Sequence, residues 1–279
     1  AFAQNVSSGV VSNGVVSSNQ TQYVVSTGVT SNIVVSGTGK QVVQSGGKTY
    51  STIVHDKDGS QVVGNNGSTI STIVSSGGFQ RVSAGGTATG TKLSGGNQNV
   101  SSGGKAIDAA VYSGGKQTVY SDGEASGTQI FDGGMVNVSG GTVSGTVVNA
   151  SGAQNIYSGG HAVSTHVSNG GNEYIFAGGN ASGTVVSSGG FQRVSAGGTA
   201  TGTKLSGGNQ NVSSGGKAID AAVYSGGKQT VYSDGEASGT QIFDGGMVNV
   251  SGGTVSGTVV NASGAQNIYS GGHAVSTHV

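Results

Sequence analysis

The sequence predicts an all-β fold, a single-stranded parallel β-helix of about 15 rungs with about 19 residues in each. Three observations support this prediction. Glycine supplies 57 of the 279 residues, while proline, cysteine and tryptophan are absent. A motif with paired glycines recurs about every 19 residues, and two positions of that motif are aliphatic in every complete copy. Such regularity is typical of solenoids, whose rungs bury equivalent positions in one shared core.

Each rung combines two turns with two extended segments. The rung at 101–119 reads SSGGKAIDAAVYSGGKQTV, and the rung at 157–175 reads YSGGHAVSTHVSNGGNEYI. A first turn of the form xSGG precedes a longer segment, and a second such turn precedes a short segment that ends in QxV. Because Gly costs about 1 kcal/mol relative to Ala inside a helix, the frequent glycines argue against long helices. The pattern predicts two short strands per rung, joined by glycine turns.

The last residue of each of the two segments of a rung is aliphatic. Side chains alternate between the two faces of a strand, so residues two apart share a face. We therefore expect Val111 and Val119 of one rung, and Ile130 and Val138 of the next, to point into the core. The residue before Ile130 is Gln129, and its position varies freely between rungs, which predicts an outward face.

A glutamine column runs two residues before the last aliphatic residue of the short segment. Stacked amides in register can form a hydrogen-bonded ladder. The column contains one carboxylate, Glu173, and burying an unpaired carboxylate is costly. These features favour a partly shielded ladder near a corner over either full burial or a surface row.

The domain organisation follows from the repeats. Residues 6–279 form the repeat region, and residues 1–5 are interpreted as an N-terminal tail left by signal cleavage, because residues 1–3 read A-x-A. The absence of cysteine fits an exported protein. Residues 74–167 recur without change as residues 186–279, an identity over 94 positions at an offset of 112. That offset spans six rungs, so the duplication preserves register and argues against a unique catalytic cleft.

Charge and metal-binding patterns exclude several function classes. Eleven basic residues balance eleven acidic ones, and a nucleic-acid-binding surface needs a basic face. The histidines, of which His161 and His166 are the closest pair apart from their copies, are too few for a metal cluster without cysteine. The paired glycines lack the aspartate column of calcium-binding β-rolls. We therefore expect no nucleic-acid partner, no metal and no cofactor.

Four acidic residues are candidates for a catalytic pair. Asp122 and Glu124 lie near Asp108 and Asp132 in adjacent rungs, and β-helix enzymes that cleave polysaccharides need paired carboxylates. Each of these residues occupies a loop position that is Ser, Gly, Lys or Thr in other rungs. The sequence therefore predicts that the chain is not an enzyme.

A serine column occupies the first turn and admits two interpretations. In the first, the serine bonds its own backbone and the glycines supply positive φ, which is ordinary turn chemistry. In the second, the column is a row of exposed hydroxyls beside bare backbone that a modifying enzyme can approach. The column contains Ser102, Ser121, Ser158, Ser214, Ser233 and Ser270.

The chain beyond its first five residues resembles the passenger repeats of AIDA-type self-associating autotransporter adhesins of enteric bacteria. The resemblance rests on the 19-residue repeat, on the string SSGGFQRVSAGGTATGTKLSGGNQNVSSGGKA at 75–106 and on the AFA start. It implies a right-handed β-helix displayed on the bacterial surface after export through the periplasm and outer membrane. It also implies adhesion to a host-cell receptor or glycan, association with the same passenger on other cells, and biofilm formation.

Some members of that family resemble substrates of a cytoplasmic heptosyltransferase, which modifies serines in the loop between a short strand and a longer one. In this chain that loop is the first turn. The resemblance implies acceptor roles for Ser45, Ser102, Ser121, Ser158, Ser214, Ser233 and Ser270, with Ser101 and Ser213 as neighbours and Ser83 and Ser195 where alanine replaces the usual serine. Two alternatives stay open: a β-helix enzyme that degrades polysaccharides, and a purely structural stalk that presents another domain.

Overall fold

The computed structural model describes residues 2–279. The chain divides into two compact units, one ending at Val143 and the other comprising Ser144–Val279. Each unit is a parallel β-solenoid, and the described residues contain no helix. The predicted fold class is confirmed, with about 14 turns of about 19 residues.

Each turn of the solenoid contributes three strands, and the prediction of two strands per rung is wrong. The longer segment bends at a third corner, so it supplies one strand to each of two sheets. We name the sheets A, B and C in the order in which the chain visits them, and number the strands along the chain.

The strands of the first unit pair in parallel with the equivalent strands of neighbouring rungs. Sheet A contains β1 (Phe2–Val6), β4 (Gln20–Val24), β7 (Lys40–Val43), β10 (Ser60–Val63), β13 (Phe79–Val82), β16 (Asn97–Val100), β19 (Lys116–Tyr120) and β22 (Met135–Ser139). Sheet B contains β2 (Val10–Ser12), β5 (Val29–Ser31), β8 (Lys48–Tyr50), β11 (Ser68–Ile70), β14 (Thr87–Thr89), β17 (Lys105–Ile107) and β20 (Glu124–Ser126). Sheet C contains β3 (Val15–Val16), β6 (Val34–Val35), β9 (Ile53–Val54), β12 (Ile73–Ser75), β15 (Lys92–Ser94), β18 (Ala110–Val111) and β21 (Gln129–Ile130).

The second unit repeats this arrangement, and β23 (Thr142–Ser144) spans the boundary in the sequence. Its sheet A contains β25 (Ala153–Ile156), β28 (Asn172–Ile175), β31 (Phe191–Val194), β34 (Asn209–Val212), β37 (Lys228–Tyr232), β40 (Met247–Ser251) and β43 (Ala265–Ile268). Its sheet B contains β26 (His161–Val163), β29 (Asn180–Ser182), β32 (Thr199–Thr201), β35 (Lys217–Ile219), β38 (Glu236–Ser238), β41 (Thr254–Ser256) and β44 (His273–Val275). Its sheet C contains β24 (Val147–Val148), β27 (His166–Val167), β30 (Val185–Ser187), β33 (Lys204–Ser206), β36 (Ala222–Val223), β39 (Gln241–Ile242) and β42 (Val259–Val260).

The N-terminal residues extend the stack. Phe2–Val6 forms β1 and pairs with β4, so residues 2–5 belong to the first strand of sheet A rather than to a tail. Ala1 lies outside the described residues, and cleavage by signal peptidase after residue 3 stays a prediction.

The third corner separates sheets B and C and explains the extra strand. One residue there adopts a left-handed φ, for example Asn32 at 51°, Asp108 at 52° and Ser164 at 55°. Asn, Asp, Ser and Gly tolerate this conformation better than branched residues do, because their side chains are short or absent. The backbone N–H of Asp108 donates to the carbonyl oxygen of Ser126 in the next rung at 2.8 Å, so the bend is held by the same ladder as the strands.

The core contains the predicted aliphatic columns. Val111, Val119, Ile130 and Val138 are fully buried, while Gln129 between two buried residues is exposed. The inward orientation of both columns is therefore confirmed for these rungs. In the last rung the equivalent residues are more than half exposed; they are Ile268 and Val279.

Glutamine side chains form a ladder that is fully enclosed, so the prediction of partial shielding is wrong. In the first unit the Nε2 of each ladder Gln from residue 22 to residue 117 donates to the Oε1 of the preceding one, at 2.6–2.9 Å. Threonines of the third corner complete the network, as Thr72 Oγ1 does by donating to Gln61 Oε1 at 3.1 Å. Full burial is tolerated because these amides satisfy one another.

Glu173 occupies a ladder position in the second unit and is completely buried. Its carboxylate accepts hydrogen bonds from Gln154 Nε2 at 3.1 Å, Thr184 Oγ1 at 3.0 Å and Gln192 Nε2 at 2.6 Å. Burial raises the pKa of Glu173, and the hydrogen bonds only partly oppose that effect. Gln154 Oε1, on the neighbouring rung, is buried without a partner among the described residues.

Candidate functional site

The first turn of each rung joins sheet A to sheet B and presents its second residue to solvent. In the turn 101–104, the N–H of Gly104 donates to the carbonyl oxygen of Ser101 at 2.9 Å. Ser102 has φ 50° and Gly103 has φ 77°. Positive φ at both central residues is the signature of a type I′ turn. Ser214 has φ 51° and occupies the same conformation.

A second backbone form occurs where the turn begins with an aromatic residue. In the turn 157–160, the N–H of Gly160 donates to the carbonyl oxygen of Tyr157 at 2.8 Å. Gly159 has φ 70°, whereas the φ of Ser158 is not positive. This combination is that of a type II turn. The turns that contain Ser121, Ser233 and Ser270 have the same form, since a positive φ occurs at their third residue and not at the serine, and each of them also begins with tyrosine.

The predicted acceptor serines differ in exposure. Those at the second turn position are exposed: Ser45, Ser102, Ser121, Ser158, Ser214, Ser233 and Ser270. Those at the first turn position are partly covered: Ser83, Ser101 and Ser213. Ser195 is only 7% exposed, so its hydroxyl is shielded from an incoming enzyme. The structure thus separates an accessible set from a shielded one within the same column.

The two glycines of the turn are required by the fold itself. A Cβ at Gly104 would lie 2.3 Å from the carbonyl oxygen of Val82 in the preceding rung, which is too close for any side chain. Gly103 needs its positive φ. Access for a modifying enzyme is therefore not needed to explain the paired glycines.

The second turn offers a close structural match to the first. Tyr112-Ser113-Gly114-Gly115 joins sheet C to sheet A and has the same sequence as the turn 157–160. The N–H of Gly115 donates to the carbonyl oxygen of Tyr112 at 2.8 Å, and Gly114 has φ 70°. The rings also match: Tyr112 stacks on the Phe of the next rung at 5.2 Å, and so does Tyr157. Ser113 and Ser158 therefore differ mainly in the corner that they occupy.

Three of the acidic residues considered for catalysis lie at different corners. Asp108 lies between sheets B and C, Asp122 between sheets A and B, and Asp132 between sheets C and A. Glu124 forms an ion pair with Lys105, with Oε2 and Nζ 3.1 Å apart. Because three corners of the rung separate the aspartates, the structure does not assemble them into an acid–base pair.

The histidines are also separated. His161 lies on sheet B and His166 on sheet C, where its Nε2 is 3.3 Å from Ser187 Oγ. Among residues 2–279, no three His, Cys, Asp or Glu side chains gather in a metal-binding arrangement. The same residues include no helix long and apolar enough to cross a membrane.

Comparison with known proteins identifies the family. A family model described as the adhesin of a bacterial autotransporter system, probable stalk, matches residues 149–209. The chain is also similar to a solved structure described as the TibC-catalyzed hyper-glycosylated TibA55-350 fragment. The two are 38% identical over 99% of this chain and 94% of that one, with a TM-score of 0.79. The chain belongs to the AIDA-type autotransporter adhesins.

The family model describes its members as adhesins of a bacterial autotransporter system that form a probable stalk. Such a passenger is a surface-exposed or secreted protein with a structural and adhesive role. A comparison with curated protein sequences finds no match.

Proposed function

We propose that this chain is the surface-displayed passenger of an adhesin that attaches to host cells and promotes autoaggregation and biofilm formation, and that the exposed serines of its first turns accept O-linked heptose. The observation that supports acceptor function most directly is that exposed serine hydroxyls recur at the corner between sheets A and B within each unit, as Ser102 and Ser121 do in the first unit and Ser158 does in the second. The likeness to a glycosylated TibA fragment supports it independently.

The proposed modification is a glycosyl transfer to serine. The Oγ of the acceptor attacks the anomeric carbon of a nucleotide-activated heptose and forms a C–O bond. The bond from that carbon to the nucleotide phosphate breaks, and the hydroxyl proton passes to a base of the transferase. Strands on both sides hold the turn, which lowers the entropy cost of presenting the hydroxyl.

The two turn forms restrict what the transferase can recognise. Ser102 lies in a type I′ turn and Ser158 in a type II turn, yet both are exposed at the corner between sheets A and B. An enzyme that modifies both must therefore recognise the corner and its flanking strands rather than one set of turn dihedrals.

Peptide mapping after co-expression with a heptosyltransferase tests this proposal. We expect sugar on Ser158 at several times the occupancy of Ser113, although the two serines share a local sequence, a turn form and a stacked tyrosine. The shielded Ser195 is expected to stay unmodified. Equal occupancy of Ser158 and Ser113 would show that the enzyme reads only the YSGG string, and the corner-recognition proposal would fail.

Surface display tests the adhesive function separately. Cells that display the chain should settle and attach to host cells faster than cells that display a stack of the same length from an unrelated solenoid. If they behave alike, the chain acts as a stalk only, in keeping with the family-model description. Cleavage of polysaccharide that disappears in the double variant Asp122→Asn, Glu124→Gln would instead establish an enzyme.

A further inference from the structure

A shallow groove runs over the outward face of sheet A in the second unit. It is lined by Phe191, Arg193, Asn211, Ser214, Tyr232 and Ser233. The lining combines one cation, two aromatic rings, an amide and hydroxyl groups. No carboxylate lines it, although Asp234 follows Ser233 in the sequence.

Arg193 is the only charged residue in this lining, and its charge is uncompensated. It is exposed on β31, in register with Tyr174 on one side and Asn211 on the other. Within residues 2–279 no carboxylate lies within ion-pair distance of it, whereas Lys217 on sheet B pairs with Glu236 at 3.4 Å. An unpaired guanidinium beside polar groups is suited to bind a carboxylate through two parallel hydrogen bonds.

The aromatic side of the groove includes Tyr232, whose backbone is held by a strand. Strand β37 continues through Tyr232, which forms an antiparallel bridge with Gly252, while most sheet-A strands end one residue earlier. The Tyr232 side chain is 42% exposed. The bridge fixes the backbone position of Tyr232, and its exposed ring is a favourable surface for the C–H face of a sugar ring.

We propose that this groove binds an anionic saccharide, with Arg193 receiving the carboxylate of a uronic or sialic acid unit. Tyr232 and Phe191 contact the apolar face of the sugar, and Asn211 and the serines bond its hydroxyls. The proposal names a ligand class for the adhesive function proposed above. The test of this proposal measures saccharide binding directly. Saccharide binding can therefore fail while adhesion is retained, and adhesion can fail while saccharide binding is retained.

The duplication supplies a second copy of the groove's residues in the first unit. Phe79, Arg81, Asn99 and Tyr120 occupy the equivalent positions, and Tyr120 forms the same type of bridge, with Gly140. Arg81 is likewise exposed and has no carboxylate within ion-pair distance among residues 2–279. We therefore expect a second site of the same kind in the first unit.

The two sites differ at one flanking position. Val62 pairs in register with Arg81, where Tyr174 pairs with Arg193. Tyr174 belongs to an aromatic cluster and stacks on Phe176 at 6.3 Å. We expect the site of the second unit to bind more tightly, because its aromatic surface is larger.

Calorimetric titration of the unglycosylated chain with tetragalacturonate, and with its neutral methyl ester, tests the proposal. We expect the acid to bind at least about tenfold more tightly than the ester, since only the acid offers a carboxylate. The double variant Arg81→Ala, Arg193→Ala should lose about the same factor and retain its circular dichroism spectrum. Its matched control is Lys92→Ala, Lys204→Ala, which removes an equal charge from exposed positions of sheet C and should bind as the parent does.

The tyrosines separate stacking from charge. Tyr120→Ala with Tyr232→Ala should weaken binding of the acid by about fivefold to tenfold while leaving the ratio of acid to ester unchanged. The proposal is overturned if the acid does not bind at millimolar concentration, if the ester binds equally well, or if the lysine variant loses as much affinity as the arginine variant. Heptose on Ser214 and Ser233 would occupy the groove, so the glycosylated chain should bind the acid more weakly.

Discussion

Val119→Asp is expected to unfold the rungs around it. Val119 lies on β19, is fully buried and pairs in register with Val100 and Val138. The substitution removes apolar contacts and places a carboxylate where no basic group faces it, so we expect a loss of at least about 4 kcal/mol in the free energy of unfolding. Thermal unfolding followed by circular dichroism would measure it.

The matched control for this variant lies on the same strand. Lys116→Asp introduces the same carboxylate at an exposed position of β19. We expect this change to alter the free energy of unfolding by less than about 0.5 kcal/mol, because the charge stays in water. If the two variants unfold at the same temperature, position 119 does not face the core.

Glu173→Gln is expected to stabilise the protein, and the gain should grow with pH. The folded state raises the pKa of this carboxyl above 4.5, so folding favours the protonated form. The contribution of Glu173 to stability is therefore fully present below pH 4.5 and is lost as the pH rises through the folded-state pKa. The loss is at most about 1.4 kcal/mol per pH unit. A glutamine at position 173 does not titrate, so the pH dependence disappears. If the side-chain amide of Gln154 flips by 180°, its unpaired Oε1 can accept a hydrogen bond from the Nε2 of the new glutamine.

Denaturant unfolding at several pH values between 4 and 8 would measure the effect. The difference between the variant and the parent isolates Glu173 from all other titrating groups. Glu236→Gln is the control, since that glutamate is exposed and should produce no comparable difference. A difference that does not change with pH would mean that Glu173 has the same pKa in the folded and unfolded states.

The aliphatic columns could be predicted because burial repeats in every rung. The position equivalent to Val119 is valine or isoleucine in all complete rungs, and this residue is buried in all of them except the last. The third corner was missed although a signal existed. The column that contains Asn32, Asp108 and Ser164 holds only residues that tolerate a left-handed φ, and such a column inside an apparent strand indicates a bend.

Burial of the glutamine ladder could not be inferred from single residues. The carboxylate of Glu173 suggests that the glutamine column is exposed to solvent, but in the fold three hydrogen-bond donors surround this carboxylate. Those donors come from residues 11 and 19 positions away, on other sheets or rungs. Sequence reasoning identified the column and lacked the cross-rung geometry that makes its burial tolerable.

The serine column lies at the corner between sheets A and B, as the sequence predicts, but the differences in exposure and turn form within the column could not be predicted. Ser195 follows the strand directly and is shielded, whereas Ser214 is one residue further along its turn and exposed. The type I′ and type II forms follow the residue that opens the first turn, which is aromatic in the type II cases such as Tyr157. Acceptor function itself stays a prediction.

The direction of the glutamine ladder has a consequence for assembly. Every amide in the first unit donates towards the N-terminal rung, so a partly formed stack offers a carbonyl oxygen to the next rung that arrives. A rung that docks on the C-terminal side of such a stack therefore brings an amide donor to a waiting acceptor, and a rung that docks on the N-terminal side brings an acceptor to a waiting donor. At Val136 the column holds no amide, and Gln117 Oε1 is already satisfied by Thr128 at 3.0 Å. Gln41, Gln61 and Gln80 also accept from a third-corner threonine, so a stack that ends at any of these rungs leaves no unpaired ladder oxygen.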